Sequence, residues 1–179
     1  GRVVVQDSVY ISEAIRDGTF FKNPAFLEAV MHVKRYQSKL HLIGILSGNQ
    51  CPHMSQEHII AIARLAKAQG VRALFHFFTD GRDSSPYSAL DLWRQLESKL
   101  PSNTCEVASI TGRLYLDRKK DWRRTEELYH ALVTGHAGYE AQDIETAIIK
   151  AYERGESDEF IAPTLIRNDR VSAKDTISD

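Results

Sequence analysis

The stretch VRALFHFFTDGRD, residues 71–83, decides the fold because it joins an apolar run to an abrupt polar turn. The run, 71–78, is apolar at both alternating sets of positions, which is the pattern of a strand covered on both faces of a sheet. Strands of this kind occur mainly in parallel sheets that carry helices on their faces. A solvated turn is the simplest interpretation of the following Asp80-Gly81 pair, because Asp-Gly is favoured turn chemistry.

Segments on either side of this stretch repeat the order of a strand followed by a helix. Residues 39–48 have the pattern of a strand buried on both faces, and residues 106–111 that of a shorter strand. Segments of helical period begin after Ser55, at Pro86 as a first helical residue, and before Leu128. Three such units in succession predict a single α/β domain with three layers, α/β/α, and a mainly parallel sheet.

Helices are also predicted outside these units. The helical period recurs in three other segments, 9–16, 24–36 and 142–154. Asn23 has the position of an N-cap for the second of these segments, and Gly155 closes the third. We expect residues 1–166 to form the domain and the polar residues 167–179 to be a connecting segment. The chain starts in strand-like sequence without a methionine, so we expect it to be a piece of a longer protein, the parent.

The composition limits the classes of function. With 179 residues, a net charge of −1 and a pI of about 6.7, the chain lacks the basic field of a nucleic-acid-binding protein. No apolar run approaches the roughly 18 residues of a membrane span, and no strand is followed by a glycine-rich nucleotide-binding fingerprint. Cys51 and Cys105 lie far apart and outside metal-ligand spacing, which favours reduced thiols in a cytoplasmic protein over a disulfide.

Polar side chains follow the three predicted parallel strands, at the edge where open parallel sheets bind ligands. These strand exits contain His53, Arg82, Asp83, Arg113 and Arg118. Arginine binds phosphate and carboxylate groups through paired hydrogen bonds, and a carboxylate can take a proton from a hydroxyl group. The set therefore predicts a site for a small anion with a proton to move.

Each of these residues also has a plainer interpretation. His53 follows Cys-Pro in a loop and can be a solvated side chain, and Arg113 can pair with a nearby acid for structural reasons. Arg118 lies in the charge-dense stretch DRKKDWRR, residues 117–124, which is typical of a solvated helix start. His76, inside the apolar run, is expected to be a core histidine with satisfied polar atoms. The hypothesis of a site rests on the expectation that the five candidate residues lie close together at one edge of the sheet.

The order of motifs along the chain resembles that of one known family. The segments that carry the resemblance are 1–7, 11–18, 20–24, 40–44, 80–83, 112–113, 117–118 with Trp122, 154–160 and 162–164. On these segments, which are distributed over nearly the whole chain, the sequence resembles the cofactor-independent (2,3-bisphosphoglycerate-independent) phosphoglycerate mutases, and within them the inserted substrate-binding or phosphotransferase domain. Members of that family are isomerases of glycolysis that interconvert 3-phosphoglycerate and 2-phosphoglycerate.

The resemblance implies a division of labour between two domains. A phosphatase-like domain outside this chain would carry a serine nucleophile and two divalent metal ions, Mn²⁺ or similar, and residues 167–179 would lead toward it. The present domain would close over the glycerate and keep it from water and from escape. Its partners are then the phosphoglycerates and that second domain, with no metal ion or cofactor in the chain itself. The chain alone is expected to be inactive, because the serine motif and the metal ligands are missing from its sequence.

The resemblance also implies roles for individual residues. Arg82 matches a substrate-holding arginine, Asp83 the acid or base that acts on the glycerate hydroxyl, and Arg113 and Arg118 two arginines that bind carboxylate or phosphate. The first loop, 47–55, departs from the family pattern Ser-Asp-Gly-Gly-Val-His-Ser-His, since it is one residue longer and lacks the glycine pair. His53 takes the place of the first histidine, which binds the phosphate. This departure leaves a second hypothesis open, a non-catalytic phosphoanion-binding module derived from such a domain.

Overall fold

The computed structural model describes residues 5–49, 51–101, 105–116 and 119–177. The α-helices are α1 (Asp7–Asp17), α2 (Pro24–Tyr36), α3 (Gln56–Ala68), α4 (Ala89–Glu97), α5 (Trp122–Tyr129) and α6 (Ile144–Glu153). The strands are β1 (Leu40–Leu46), β2 (Ala73–Thr79), β3 (Cys105–Gly112), β4 (Tyr139–Ala141) and β5 (Thr164–Ile166). A π-helical segment, His130–Thr134, continues α5, and short 3-10 helices are formed by Thr19–Lys22, Arg113–Tyr115 and Asp158–Phe160.

The strands form one sheet with the order β1-β2-β3-β5-β4. β1, β2 and β3 are adjacent and parallel, β5 is antiparallel to β3, and β4 is parallel to β5. The predicted α/β domain with a mainly parallel sheet is confirmed. β4 and β5 were not predicted, because three residues are too few to show an alternation or an apolar run. The carboxyl ends of the first three strands lie at the same edge of the sheet.

The core is built around β2, in which every residue is buried. Phe75 and Phe77 stack on each other with 5.1 Å between ring centroids, and Phe77 meets Trp93 of α4 edge-on. Leu96 of α4 and Ile148 of α6 are fully buried in the same cluster. Burial of each such side chain contributes about 1.5–3 kcal/mol. The apolar run thus anchors the helices that cover one face of the sheet.

β1 differs from the prediction of a strand buried on both faces. It is an edge strand in which only Leu46 is buried, and Ile43 is 58 % exposed. The described residues before β1 form α1, α2 and the 3-10 helix Thr19–Lys22, and no described strand pairs with the outer side of β1. Of the strand-like start of the chain, residues 1–4 lie outside the described residues. An apolar run indicates that both faces of a strand are hydrophobic. It does not show how many strands lie beside that strand, because this depends on the rest of the fold.

The helix starts agree with the sequence in one case and differ in another. Asn23 caps α2 as predicted, since its side-chain oxygen accepts a hydrogen bond from a backbone N–H at 3.0 Å. α4 does not begin at Pro86 but at Ala89, and its cap is the carboxylate of Asp158. One oxygen of this carboxylate accepts from the backbone N–H groups of Ser88 and Ala89, each at 2.9 Å. Local sequence could not give this start, because the cap comes from 70 residues farther along the chain.

His76 is a core histidine, as predicted. Its Nδ1 lies 2.8 Å from the Ser109 hydroxyl and its Nε2 lies 2.9 Å from Nδ1 of His41 on β1. Burial, with a smaller effect of neighbouring His41, lowers the pKa of His76 to about 4. The imidazole is therefore neutral at physiological pH and ties the three parallel strands together inside the sheet.

The described part of the segment after β5 packs on the domain. Val171 is buried against Leu74 of β2. The nearly buried Asp175 carboxylate forms ion pairs with Lys39 and Arg72. Burial alone would raise the pKa of Asp175, but hydrogen bonds from Lys39 and from the backbone hold it at about 2. The interpretation of residues 167–179 as a connecting segment stays a prediction.

Candidate functional site

A cluster of polar side chains lies at the carboxyl ends of the three parallel strands. Ser47 follows β1, the turn that begins with Asp80 follows β2, and Arg113 follows β3. The register pairs the last residues of β1 with those of β2, and those of β2 with those of β3, so the three exits are neighbours. The predicted site residues Arg82, Asp83 and Arg113 are brought together at this edge.

Asp80 is the centre of the cluster, although the sequence suggested no more for it than a turn. Its side chain is fully buried. One carboxylate oxygen accepts a hydrogen bond from the Ser47 hydroxyl at 2.5 Å, and the other accepts from Nη1 of Arg113 at 2.6 Å. The second oxygen also accepts from the backbone N–H groups of Arg82 and Asp83, at 3.2 and 3.3 Å. Asp80 thus fixes both the arginine and the backbone of the turn.

Arg113 is shared by two carboxylates. Its Nη1 lies 2.6 Å from Asp80 Oδ1 and 2.6 Å from Asp83 Oδ2, and the residue is only 6 % exposed. Burial favours protonation of Asp80, but hydrogen bonds from Ser47 and Arg113 outweigh this effect and lower its pKa. The hydrogen bond from Arg113 is also the main reason that the pKa of Asp83 is lowered. Both acids are therefore carboxylates at neutral pH.

Asp83 is the part of the cluster that solvent reaches, with 34 % of its side chain exposed. Besides Arg113, the thiol of Cys51 contacts it, with Sγ 3.5 Å from Asp83 Oδ2. Cys51 is nearly buried and, like Cys105, forms no disulfide. The sequence analysis missed this contact, and the only signal for it was the position of Cys51 in the divergent loop after the first strand. His53 lies on the surface of the same loop and makes no hydrogen bond to another described residue.

Arg82 contacts an acid that the sequence analysis did not select. Its Nε donates to Oε1 of Glu159 at 2.7 Å, and 36 % of its side chain is exposed. Glu159 belongs to the 3-10 helix Asp158–Phe160, which lies in one of the segments that carried the resemblance, 154–160. Arg118, the remaining predicted site residue, lies outside the described residues.

The 3-10 helix Asp158–Phe160 is held against the ends of β2 and β3. The Thr79 hydroxyl donates to the backbone carbonyl of Asp158 at 2.6 Å, and the Gly112 N–H donates to the carbonyl of Ile161 at 2.6 Å. A Cβ atom at Gly81 would lie 2.6 Å from the backbone nitrogen of Glu159, and one at Gly112 only 2.3 Å from its carbonyl oxygen. Two glycines are therefore needed for this close approach.

Replacing Gly112 with alanine should destabilise the domain by about 1–3 kcal/mol, because the new methyl group overlaps backbone that cannot move without breaking hydrogen bonds. Urea unfolding of the chain measures the loss. Gly44→Ala is the matched control, since a Cβ atom there meets nothing within 4 Å. Equal midpoints for the two variants would contradict the close approach at Gly112.

The cluster does not fit a metal ion. Cys51, Asp80 and Asp83 each have a ligand atom within 4.8 Å of the others. The guanidinium of Arg113, however, already bonds to both carboxylates and provides the positive charge that a cation would supply. A divalent cation placed between the acids would face this buried guanidinium at close range. That the chain holds no metal ion stays a prediction.

The arrangement is chemically capable of the two functions that the sequence predicted, and both stay predictions. An ionised carboxylate, Asp83, is accessible and held in place by Arg113 and Cys51, and can accept a proton from a hydroxyl group. Arg82 precedes it in the turn, with an exposed surface and with N–H donors that bond to none of the described residues, and can bind a small anion. Asp80 is buried beneath these residues, and its hydrogen bonds hold the backbone of their turn in place.

Comparisons with known proteins agree on one family. The family model described as the BPG-independent PGAM N-terminus matches residues 11–179. The 2,3-bisphosphoglycerate-independent phosphoglycerate mutase 1 of Methanosarcina barkeri is 43 % identical over 182 residues, which are 100 % of this chain and 35 % of that protein. The corresponding mutase of Clostridioides difficile is 41 % identical over 94 % of this chain and 33 % of its own length.

A solved structure gives the same result for the fold. The crystal structures of Leishmania mexicana phosphoglycerate mutase at low cobalt concentration include a chain with a TM-score of 0.87 and 26 % sequence identity to this chain. The match covers 99 % of this chain and 34 % of that one. This chain therefore spans about a third of the length of the relatives that it matches.

Proposed function

This chain belongs to the family of the BPG-independent PGAM N-terminus, and on this premise we propose that it is the substrate-binding domain of a phosphoglycerate mutase that interconverts 3-phosphoglycerate and 2-phosphoglycerate in glycolysis. The observation that carries the proposal is the accessible Asp83 carboxylate, fixed by Arg113 and adjacent to Arg82, at the edge where parallel sheets bind ligands. A molecule with a carboxylate, a phosphate and a hydroxyl group matches both the cations and the base.

In the proposed mechanism, Asp83 accepts the proton of the glycerate hydroxyl that becomes phosphorylated. Its lowered pKa keeps it in the accepting form at neutral pH. Arg82 and Arg113 bind the anionic groups of the substrate, and Arg118 and His53 are proposed to do so from the adjacent loops. Holding the glycerate by several cations at once keeps it oriented while its phosphoryl group is absent.

The phosphoryl transfer itself belongs to the rest of the parent in this proposal. A phosphatase-like domain there would supply a serine and two divalent metal ions, as the family resemblance implies. The present residues bind and orient the glycerate, exclude water and move one proton. The parent is proposed to be cytoplasmic, to bind no nucleic acid and to need no membrane. None of the described helices is both long and apolar enough to span a membrane.

A second candidate function is a non-catalytic phosphoanion-binding module. It is favoured by the loop after β1, where Cys51 contacts Asp83 and where the glycine pair of the family pattern is missing. A mutase assay of the parent separates the two candidates, with His53→Ala assayed beside the wild type. A parent that converts 3-phosphoglycerate supports the first candidate, and an inactive parent supports the second.

The chain itself should bind 3-phosphoglycerate weakly, with a Kd of about a millimolar, because the proposed contacts to the phosphate lie mostly in the parent's other domain. Titration of the labelled chain by NMR should shift the amide signals of Arg82, Asp83 and Arg113. Glycerol is the control ligand, since it has hydroxyl groups but no charge for the arginines to bind. If 3-phosphoglycerate moves these signals no more than glycerol does, the site has been assigned to the wrong residues.

A further inference from the structure

The position of Glu159 is fixed unusually well for a residue at the rim of a site. Its backbone lies against Gly81 and Gly112, both of which would collide with it if they carried a Cβ atom. The backbone carbonyl of the preceding residue, Asp158, accepts a hydrogen bond from the Thr79 hydroxyl. The backbone N–H of Asp158 donates to the carbonyl of Pro86 at 2.7 Å. The backbone that carries the Glu159 side chain is therefore held against both β2 and β3.

This carboxylate uses only part of the Arg82 guanidinium. The hydrogen bond goes to Nε at 2.7 Å, while no hydrogen bond of the described residues involves the two terminal amino groups of Arg82. Terminal amino groups are the donors that arginine offers to phosphate and carboxylate groups in paired hydrogen bonds. A hydrogen bond at Nε fixes the direction of the guanidinium plane and leaves those donors available.

A negative side chain next to an anion-binding site has an electrostatic cost. Glu159 repels the same anion that Arg82 attracts, so neutralising it should improve binding if charge alone mattered. An arginine with its long side chain has many rotamers, however, and fixing one of them removes an entropic cost from binding. The electrostatic effect predicts tighter substrate binding when Glu159 is removed, and the entropic effect predicts weaker binding. The substrate affinity of a Glu159 variant therefore shows which effect is larger.

We propose that Glu159 is a positioning residue, which holds Arg82 by Nε so that the two terminal amino groups meet the anionic group of the substrate. This role rests on the proposed mutase function. Arg113 needs no such partner, because Asp80 and Asp83 already hold it. Glu159 is thus assigned to orient Arg82, the more exposed of the two arginines in the described site.

The test is the kinetics of the full-length parent with Glu159→Ala and Glu159→Gln. The alanine variant should lower kcat/KM by about 10- to 100-fold, because a loosely held guanidinium is misplaced by about an ångström. The loss should fall mainly on KM, since Arg82 contacts the substrate before and during the reaction. The glutamine variant should stay within about threefold of wild type, because its amide oxygen still accepts the hydrogen bond from Nε.

Two controls separate positioning from a structural effect. Glu145→Ala removes the carboxylate that pairs with Arg94 of α4 at 2.8 Å, away from the site, and should leave kcat and KM unchanged. Arg82→Met has no N–H group for Glu159 to hold, so adding Glu159→Ala to it should cost little more. Lost folding would instead lower the apparent kcat at constant KM, and would do so in both backgrounds.

The outcomes distinguish the two proposals. An active parent in which Glu159→Ala keeps its KM, or binds substrate more tightly, would overturn the positioning role and leave the mutase function standing. A parent without mutase activity overturns the proposed function, and the positioning role with it. An active parent with a raised KM in Glu159→Ala, a near-normal Glu159→Gln and a non-additive double variant supports both.

Discussion

Replacing Asp83 with asparagine in the full-length parent is expected to lower kcat by at least about 100-fold, the lower range of what a positioned general base contributes. Asparagine has nearly the same shape, and its amide oxygen can still accept the hydrogen bonds from Arg113 and Cys51. It cannot accept the proton of the glycerate hydroxyl. The measurement is the steady-state rate with 3-phosphoglycerate, at saturating substrate.

The melting temperature of Asp83→Asn should stay close to that of the wild type, which separates lost chemistry from lost folding. Asp91→Asn is the matched control, since Asp91 is exposed on α4 and takes no part in the cluster. It should keep the wild-type rate. A rate for Asp83→Asn that equals this control would remove Asp83 from the mechanism and leave it as a structural partner of Arg113.

Replacing Arg113 with methionine should destabilise the chain by about 3–5 kcal/mol, the usual result of removing one partner of a buried ion pair. Most of this loss of stability should come from Asp80, because its carboxylate is fully buried and would keep only Ser47 and two backbone N–H groups as partners. Urea unfolding at pH 7, followed by the fluorescence of buried Trp93, measures the loss.

The pH dependence of this variant should be weaker than that of the wild type. In the wild type the lowered pKa of Asp80 contributes stability above the pKa of the unfolded chain, near 4, and this contribution is lost as the pH falls. Without Arg113, only the hydrogen bonds from Ser47 and the two backbone N–H groups oppose burial, so the pKa of Asp80 should be lowered less. The variant should then lose less stability than the wild type as the pH falls from 7 to about 4.5.

Arg123→Met is the control for this experiment, since the side chain of Arg123 is 85 % exposed and pairs with Asp121 at the surface. Exposed pairs contribute about 0–1 kcal/mol, so the control should unfold close to the wild type at both pH values. An Arg113→Met variant that is as stable as this control at pH 7 would show that Asp80 does not depend on Arg113.

The sequence predicted those parts of the molecule that local pattern determines. The apolar runs gave β1, β2 and β3 and their parallel order, because a strand covered by helices must be apolar at most positions. The exits of these strands then placed Arg82, Asp83 and Arg113 at one edge. Their roles in binding and catalysis stay predictions, and Arg118 lies outside the described residues.

The parts that the sequence did not predict depend on contacts between distant segments. Asp80 was interpreted as a turn residue, although it binds Ser47 and Arg113, each 33 residues away. Glu159 reaches Arg82 across 77 residues. No local signal reports such pairs, since an acid in a turn and an acid in a buried ion pair look the same in the sequence. Similarly, the cap of α4 by Asp158 made Pro86 a misleading helix start.

The 3-10 helix Asp158–Phe160 contacts residues that are distant from it in the sequence, and this affects the order in which the protein folds during synthesis. Its hydrogen bonds to Thr79 and Ser88 join residues 79 and 70 positions apart. A nascent chain that has left the ribosome only through Arg113, the residue after β3, contains Asp80, Asp83 and Arg113, but not the segment Asp158–Phe160 that packs against them. Loops of this length must close before such contacts stabilise anything. The anion site is therefore completed late, after the three parallel strands β1, β2 and β3 that carry it.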